Sequence, residues 1–182
     1  MSRAGATTLT ATVARTIMAI STPTTSDSRL DARELDAWRG LLQVHAALTK
    51  ALDAQLEAEH GLPLTSYEVL RRVDETERGR MRMCDLASSV LLSRSGLTRL
   101  VDRLERDGYI ARQSCDDDAR GQFAVLTDAG RTKLTAARET HRAGVRSLFL
   151  DHFTVEELDA MGDAWARVLP GATASAGPRC GC

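Results

Sequence analysis

Ser93-Arg94-Ser95-Gly96-Leu97-Thr98-Arg99-Leu100-Val101-Asp102-Arg103-Leu104 decides the fold, and it runs on through Glu105-Arg106-Asp107-Gly108. Leu97, Leu100, Val101 and Leu104 are spaced three and four apart, the pattern of one buried helix face. Ser93 supplies the hydroxyl that a helix N-terminus needs, and Gly108 can turn the chain at the other end. Arg94, Ser95, Thr98 and Arg99 fall on the opposite side or at the start. A helix divided in this way can pack on its neighbours and still offer polar groups to base edges in a major groove. Arg94 and Arg99 carry the fork that matches guanine, and Ser93, Ser95 and Thr98 suit bases or phosphates. Arg103 and Arg106 stand further along, placed for phosphate or for ion pairs with Asp102 and Glu105. From Arg94 to Arg112 five arginines face three acids. That excess suits a few phosphates and predicts affinity that falls steeply with salt.

Beyond this helix the pattern changes. Tyr109–Gln113 and Gln122–Leu126 read as two short strands. The residues between them include Asp116, Asp117, Asp118, Arg120 and Gly121, a solvated hairpin tip. An arginine there suits the negative potential of a narrow minor groove. Asp118 and Arg120 equally suit a salt bridge within the turn, and Asp118 could do both.

Upstream, Leu35, Trp38, Leu42, His45, Thr49, Leu52 and Leu56 form a long stripe on a first helix that stops near His60 and Gly61. Thr65-Ser66-Tyr67-Glu68 fits a capping box, opening a second helix that buries Val69, Leu70 and Val73. A short third helix spans Cys84 to Val90 with Leu86 and Ala87 inward. Downstream, Thr127 caps a helix carrying Leu134 and Ala137 towards Leu148 and Leu150. Thr154 and Glu157 form another capping box before Leu158, Met161, Trp165 and Val168. The expectation is a mainly α chain with a small β-hairpin wing: a winged helix-turn-helix with long N- and C-terminal helices.

Length and composition bound the rest. The 182 residues, 43% of them hydrophobic, suit one compact domain. Residues 31–169 are expected to fold, 1–30 to form a disordered extension, being rich in Ala, Ser and Thr with few large apolar side chains, and 170–182 a flexible tail with three glycines and two prolines. A translation start at Met18 is the alternative account of residues 1–17. Net charge is −1, so any affinity for nucleic acid must be local. No apolar run reaches the roughly 18 residues that span a bilayer, and a cytoplasmic location is expected. Cys84, Cys115, Cys180 and Cys182 show no zinc-finger or C-x-x-C spacing, so reduced thiols are expected. His141 and His152 stand too far from other ligating residues for a metal site. No phosphate loop, dinucleotide fingerprint or nucleophile elbow occurs, so neither an enzyme nor a cofactor is expected.

Leu86-Ala87 with the run Ser93 to Ile110 resembles the recognition helix of MarR-type transcription regulators. Asp118-Ala119-Arg120-Gly121, followed by Leu126-Thr127 and Gly130, is similar to that family's D-x-R-G…LT-x-x-G signature. Ala124 departs from the pattern, where a larger apolar residue is usual, and Asp116 and Asp117 make the tip unusually acidic. The resemblance implies a homodimer with interlocked terminal helices that grips palindromic double-stranded DNA, here as a ligand-responsive repressor. Trp38, Leu42 and Leu52 on the first helix, with Leu158, Met161 and Trp165 on the last, are more apolar surface than one small winged domain covers. The resemblance also implies a small aromatic effector, in a cleft for which Trp38, His45, Tyr67 and Arg71 are the candidates. The family's oxidant-sensing first-helix cysteine is absent, which leaves Cys84 at a helix start as the redox candidate. The competing reading is a winged-helix module that docks protein without binding DNA.

Overall fold

The computed structural model describes residues 29–76, 78–90, 93–114 and 122–169. The expectations for residues 1–28 and 170–182, and for the wing tip at 115–121, lie outside these residues. Six α-helices and three strands are present among them: α1 (Ala32–His60), α2 (Leu64–Asp74), β1 (Arg80–Arg82), α3 (Met83–Ser89), α4 (Arg94–Arg106), β2 (Ile110–Ser114), β3 (Gln122–Leu126), α5 (Asp128–Leu148) and α6 (Val155–Val168). A single 3-10 turn, Leu150–His152, precedes α6. No helix among the described residues is long and apolar enough to cross a membrane.

The described residues divide into two compact units, one formed by residues 29–46 and 150–169, the other by those between Ala47 and Phe149. In the first unit the helix ends are fixed locally. Asp31 Oδ1 accepts the Glu34 N–H at 2.9 Å while Glu34 Oε2 accepts the Asp31 N–H at 2.7 Å, a reciprocal cap at the start of α1. Thr154 and Glu157 do the same for α6, as their spacing predicts. The apolar side chains of this unit stay largely uncovered. Trp38, Leu41, Leu42 and Val44 on α1, and Val155, Trp165 and Val168 on α6, are all exposed.

The second unit contains the core. Leu97, Leu100, Val101 and Leu104 of α4 are buried with Val69, Leu70 and Val73 of α2, Leu86 of α3 and Leu134 and Ala137 of α5. Burying one such leucine stabilises a fold by about 1.5–3 kcal/mol relative to exposing it, so this cluster is what holds α4 in place. Glycines end two helices where only a left-handed residue fits. Gly61 has φ +56° and Gly108 φ +78°, and Leu62 and Tyr109 donate back to Leu56 and Leu104 at 3.4 and 2.9 Å, closing each end.

Three details differ from the sequence reading. Helix α2 starts at Leu64 behind Pro63, with no side-chain cap from Thr65. Asp53 on α1 accepts the Leu64 N–H at 2.8 Å instead, and Glu68 turns to Arg71 at 2.7 Å. Pro63 fixes its own φ and starts the helix early, so Thr65 already lies inside the first turn. The wing is not a lone hairpin. Arg80–Arg82 adds an antiparallel edge strand, giving the order β1-β3-β2. Finally, the third helix runs one residue earlier than expected, Met83–Ser89.

Helix α5 is tied to the rest of this unit at several points. Asp74 at the end of α2 accepts from Arg131 at 2.5 Å and Arg138 at 2.9 Å. His60 Nε2 lies 2.8 Å from Thr140 Oγ1, whose hydroxyl reaches Glu59 at 2.7 Å.

Candidate nucleic-acid interface

Helix α4 is fixed from its first residue. Ser93 Oγ accepts the Gly96 N–H at 3.1 Å and lies 3.3 Å from Ser95 Oγ. A side chain at position 96 would sit 3.1 Å from that hydroxyl and press on the cap. With the leucines inward, Ser95, Thr98 and Arg99 are exposed on the other face. Arg99 Nε reaches only the Ser95 carbonyl, at 3.4 Å. No ion pair joins Arg99 to another described residue, so its guanidinium is available for a partner. Arg94 begins the helix.

Arg103 lies one turn further and has a different anchor from those expected. Its guanidinium donates to Ser66 Oγ at 3.1 Å, and Ser66 is almost completely buried in α2. Arg103 therefore braces α4 against α2. Between these helices runs an open groove of about 240 Å³, lined by Thr65, Gly96, Arg99, Leu100 and Arg103. Arg106 Nε reaches the Asp102 carbonyl at 3.4 Å, and neither Arg103 nor Arg106 forms the expected ion pair with Asp102 or Glu105. Arg112 of β2 takes both carboxylates, at 2.5 Å to Asp102 and 3.0 Å to Glu105. This clasp offsets one of the two negative charges and fastens the helix to the wing.

The wing sheet has two faces. Met81 and Ala124 pair in register and point inward, with Ala124 fully buried. On the outer face, the Arg80 and Arg82 guanidinium carbons sit 4.9 and 5.5 Å from the centre of the Phe123 ring. Sequence reasoning passed over these two arginines. Their alternation around Met81 was the available signal, but three residues are too few to establish a period. Asp118 and Arg120 belong to the tip outside the described residues.

The effector candidates divide between the units. Trp38 and His45 are exposed on the first part of α1. Tyr67 and Arg71 lie on α2 in the winged unit and are already engaged. Tyr67 is buried, its ring stacked on His141 at 4.5 Å and 26°. Burial raises the Tyr67 phenol, helped by the nearby Glu68 carboxylate. Arg71 is held by Glu68 at 2.7 Å and Glu75 at 2.5 Å. Cys84, at the start of α3, is exposed, and its thiol points to Asp85 Oδ1 at 3.8 Å. Among the described residues no group of three His, Cys, Asp or Glu could hold a metal ion.

His141 gives a pH test of this region. Burial holds its imidazole below the usual 6.5; Glu68 opposes this weakly and Arg71 adds to it. The unfolded chain therefore binds the proton more readily than the folded one, so stability is present above about pH 6.5 and lost as pH falls below it. His141→Phe keeps the stacked ring and removes the titration. Its unfolding midpoint in urea should fall less than the wild type's between about pH 7.5 and 5.5, a difference of at most about 1.4 kcal/mol per pH unit. Equal slopes would remove His141 from the account.

Comparison with known proteins places this architecture. The family model described as MarR family matches residues 62–121. AbsC, a MarR family transcriptional regulator from Streptomyces coelicolor, is 36% identical with a TM-score of 0.72, over 76% of this chain and 93% of AbsC. A second MarR family regulator from the same organism, solved in complex with DNA, is 34% identical with a TM-score of 0.76, over 84% of this chain and 95% of that one. The HTH-type transcriptional regulator YkoM of Bacillus subtilis is 31% identical over 91 residues, half of this chain; the chain spans 58% of YkoM's length.

Proposed function

Since the chain belongs to the MarR family of transcriptional regulators, we propose that it binds double-stranded DNA as a homodimer at a palindromic operator. The observation that carries this reading is α4, a rigidly seated helix whose outward face presents Ser95, Thr98 and Arg99. Arg99, with Arg94, reads base edges; Ser93, Ser95 and Thr98 contact bases or phosphates. Arg103 keeps α4 in its groove and adds positive charge beside a phosphate. Asp118 and Arg120 take the adjoining minor groove. The exposed Trp38, Leu42 and Trp165 support self-association, because side chains of this size are seldom left uncovered together unless a partner covers them.

Footprinting on the DNA flanking the gene tests both parts. Two protected half-sites about 10 bp apart, centre to centre, are expected, with a solution mass twice the 19.8 kDa chain. A monomer indifferent to any duplex at low ionic strength would overturn the reading.

We take the protein to be a repressor released by a small aromatic acid. Tyr67 and Arg71 support this as an aromatic ring and a guanidinium one turn apart on α2, with Trp38 and His45 as the candidates on α1. A ligand carboxylate that takes Arg71 must displace Glu68 or Glu75, which sets a modest affinity. Phenolic acids should weaken operator binding in a titration; unchanged affinity counts against the effector.

A further inference from the structure

The wing has a charge problem that β1 resolves. Residues 115–121 carry three aspartates against Arg120, a net charge of −2 in a segment proposed to approach a polyanion. Residues 78–82 carry Arg78, Arg80 and Arg82 with no acid, and the sheet brings them to the same hairpin. Arg82 pairs across from Phe123, and Arg80 from Val125. Phe123 is one residue from Gln122, whose pairing with Ser114 is the last on the tip side. At about 3.3 Å per residue, Arg82 and Arg80 stand about 3 and 10 Å back from that end of the sheet.

Both guanidiniums lie against the Phe123 ring, at 4.9 and 5.5 Å from its centre. That stacking holds each in place by cation–π attraction and lowers the ordering cost when a ligand binds. Arg80 has no ion pair with another described residue, and Arg78 is exposed in the turn ahead of the strand. A minor groove is only about 6 Å wide and is walled by phosphates, so a hairpin whose tip enters it brings this face beside one wall. Guanidiniums are well matched to phosphate oxygens.

We infer that the Arg80–Phe123–Arg82 face of the wing, with Arg78 beside it, clamps the DNA phosphates bordering the minor groove and supplies the positive charge its tip lacks. This rests on the DNA-binding reading above and adds a second binding surface to it.

The test uses the full-length chain on its footprinted operator. The slope of log affinity against log salt is measured between about 50 and 200 mM salt, together with hydroxyl-radical protection. Arg80→Gln should make the slope shallower by about 0.9 for each phosphate no longer neutralised, hence about 1.8 for a dimer with two wings. Hydroxyl-radical protection should disappear at the outer minor-groove borders, while protection of guanine N7 from dimethyl sulfate persists in the major groove. Arg80→Lys, which keeps the charge, should restore most of the slope. Arg78→Gln, in an exposed turn where packing is undisturbed, reads the same slope independently of the sheet. Wild-type slope and protection in both Gln variants, with the wild type binding its operator, overturn the clamp and leave the DNA-binding reading intact. A wild type that binds no duplex at low salt overturns both.

Discussion

Gly130→Ala is expected to destabilise the winged unit by about 3 kcal/mol or more, a larger effect than removing any single surface interaction here would have. Gly130 is the third residue of α5, where the helix passes over the Gly108–Tyr109 turn. A Cβ there would fall well inside van der Waals range of the Tyr109 carbonyl oxygen and 2.9 Å from Leu126 Cδ1. The first of these neighbours is backbone and cannot step aside as a flexible side chain would. The chain is pinned close: Thr127 donates its N–H to Tyr109 at 3.2 Å and its hydroxyl to Gly108 at 2.7 Å, while accepting from Gly130 at 3.0 Å. Alanine improves intrinsic helix propensity by only about 1 kcal/mol. Relieving the overlap means lifting α5 off the turn and breaking those bonds, so the clash wins. Thermal unfolding followed by circular dichroism should show a midpoint lower by about 10 °C or more. An unchanged midpoint would mean that α5 does not approach the turn this closely.

Arg99→Ala is expected to weaken operator binding by about 1–3 kcal/mol, or five- to 150-fold, while changing affinity for scrambled duplex much less. The asymmetry follows from geometry. Arg99 is exposed and, among the described residues, bonded only through Nε, so its terminal nitrogens can present a bidentate fork to one base. Arg99→Lys keeps the charge but loses the fork, and should recover scrambled-duplex affinity better than operator affinity. Anisotropy titrations with both duplexes decide it. If operator and scrambled duplex weaken by the same factor, Arg99 meets phosphate and base reading falls to other residues.

Helix α4 was legible because everything that specifies it is local: four apolar residues in phase, a serine at the first position and a glycine at the last. The cap at Thr154 was legible for the same reason. Thr65 carried the same motif without the outcome, because Pro63 had already set the start of the helix and Asp53, on another helix, supplied the cap. Strand β1 escaped notice because it exists only by pairing with β3, more than forty residues away. For Arg103 and Arg106, expected to meet phosphate or to pair with Asp102 and Glu105, the ion-pair alternative is not what the structure shows. Asp102 and Arg106, four residues apart, have the spacing for a pair within the helix, but Arg112 returns on β2 to reach Asp102 and Glu105 together. His141 looked isolated in sequence and proved to be the stacking partner of Tyr67. The wing-tip expectations for Asp118 and Arg120 lie outside the described residues and remain proposals.

The Arg112 clasp bears on what sequences the protein can accept. Because one guanidinium ties the reading helix to the strand that leads into the hairpin, the two cannot slide past each other without breaking both charge pairs. On the proposed reading of paired half-sites, their internal spacing is then dictated by the protein and must be matched by the duplex. A base pair inserted between the major-groove letters and the adjoining narrow tract has to be absorbed by twisting the DNA, which shifts discrimination from chemical edges to the mechanical softness of the intervening steps.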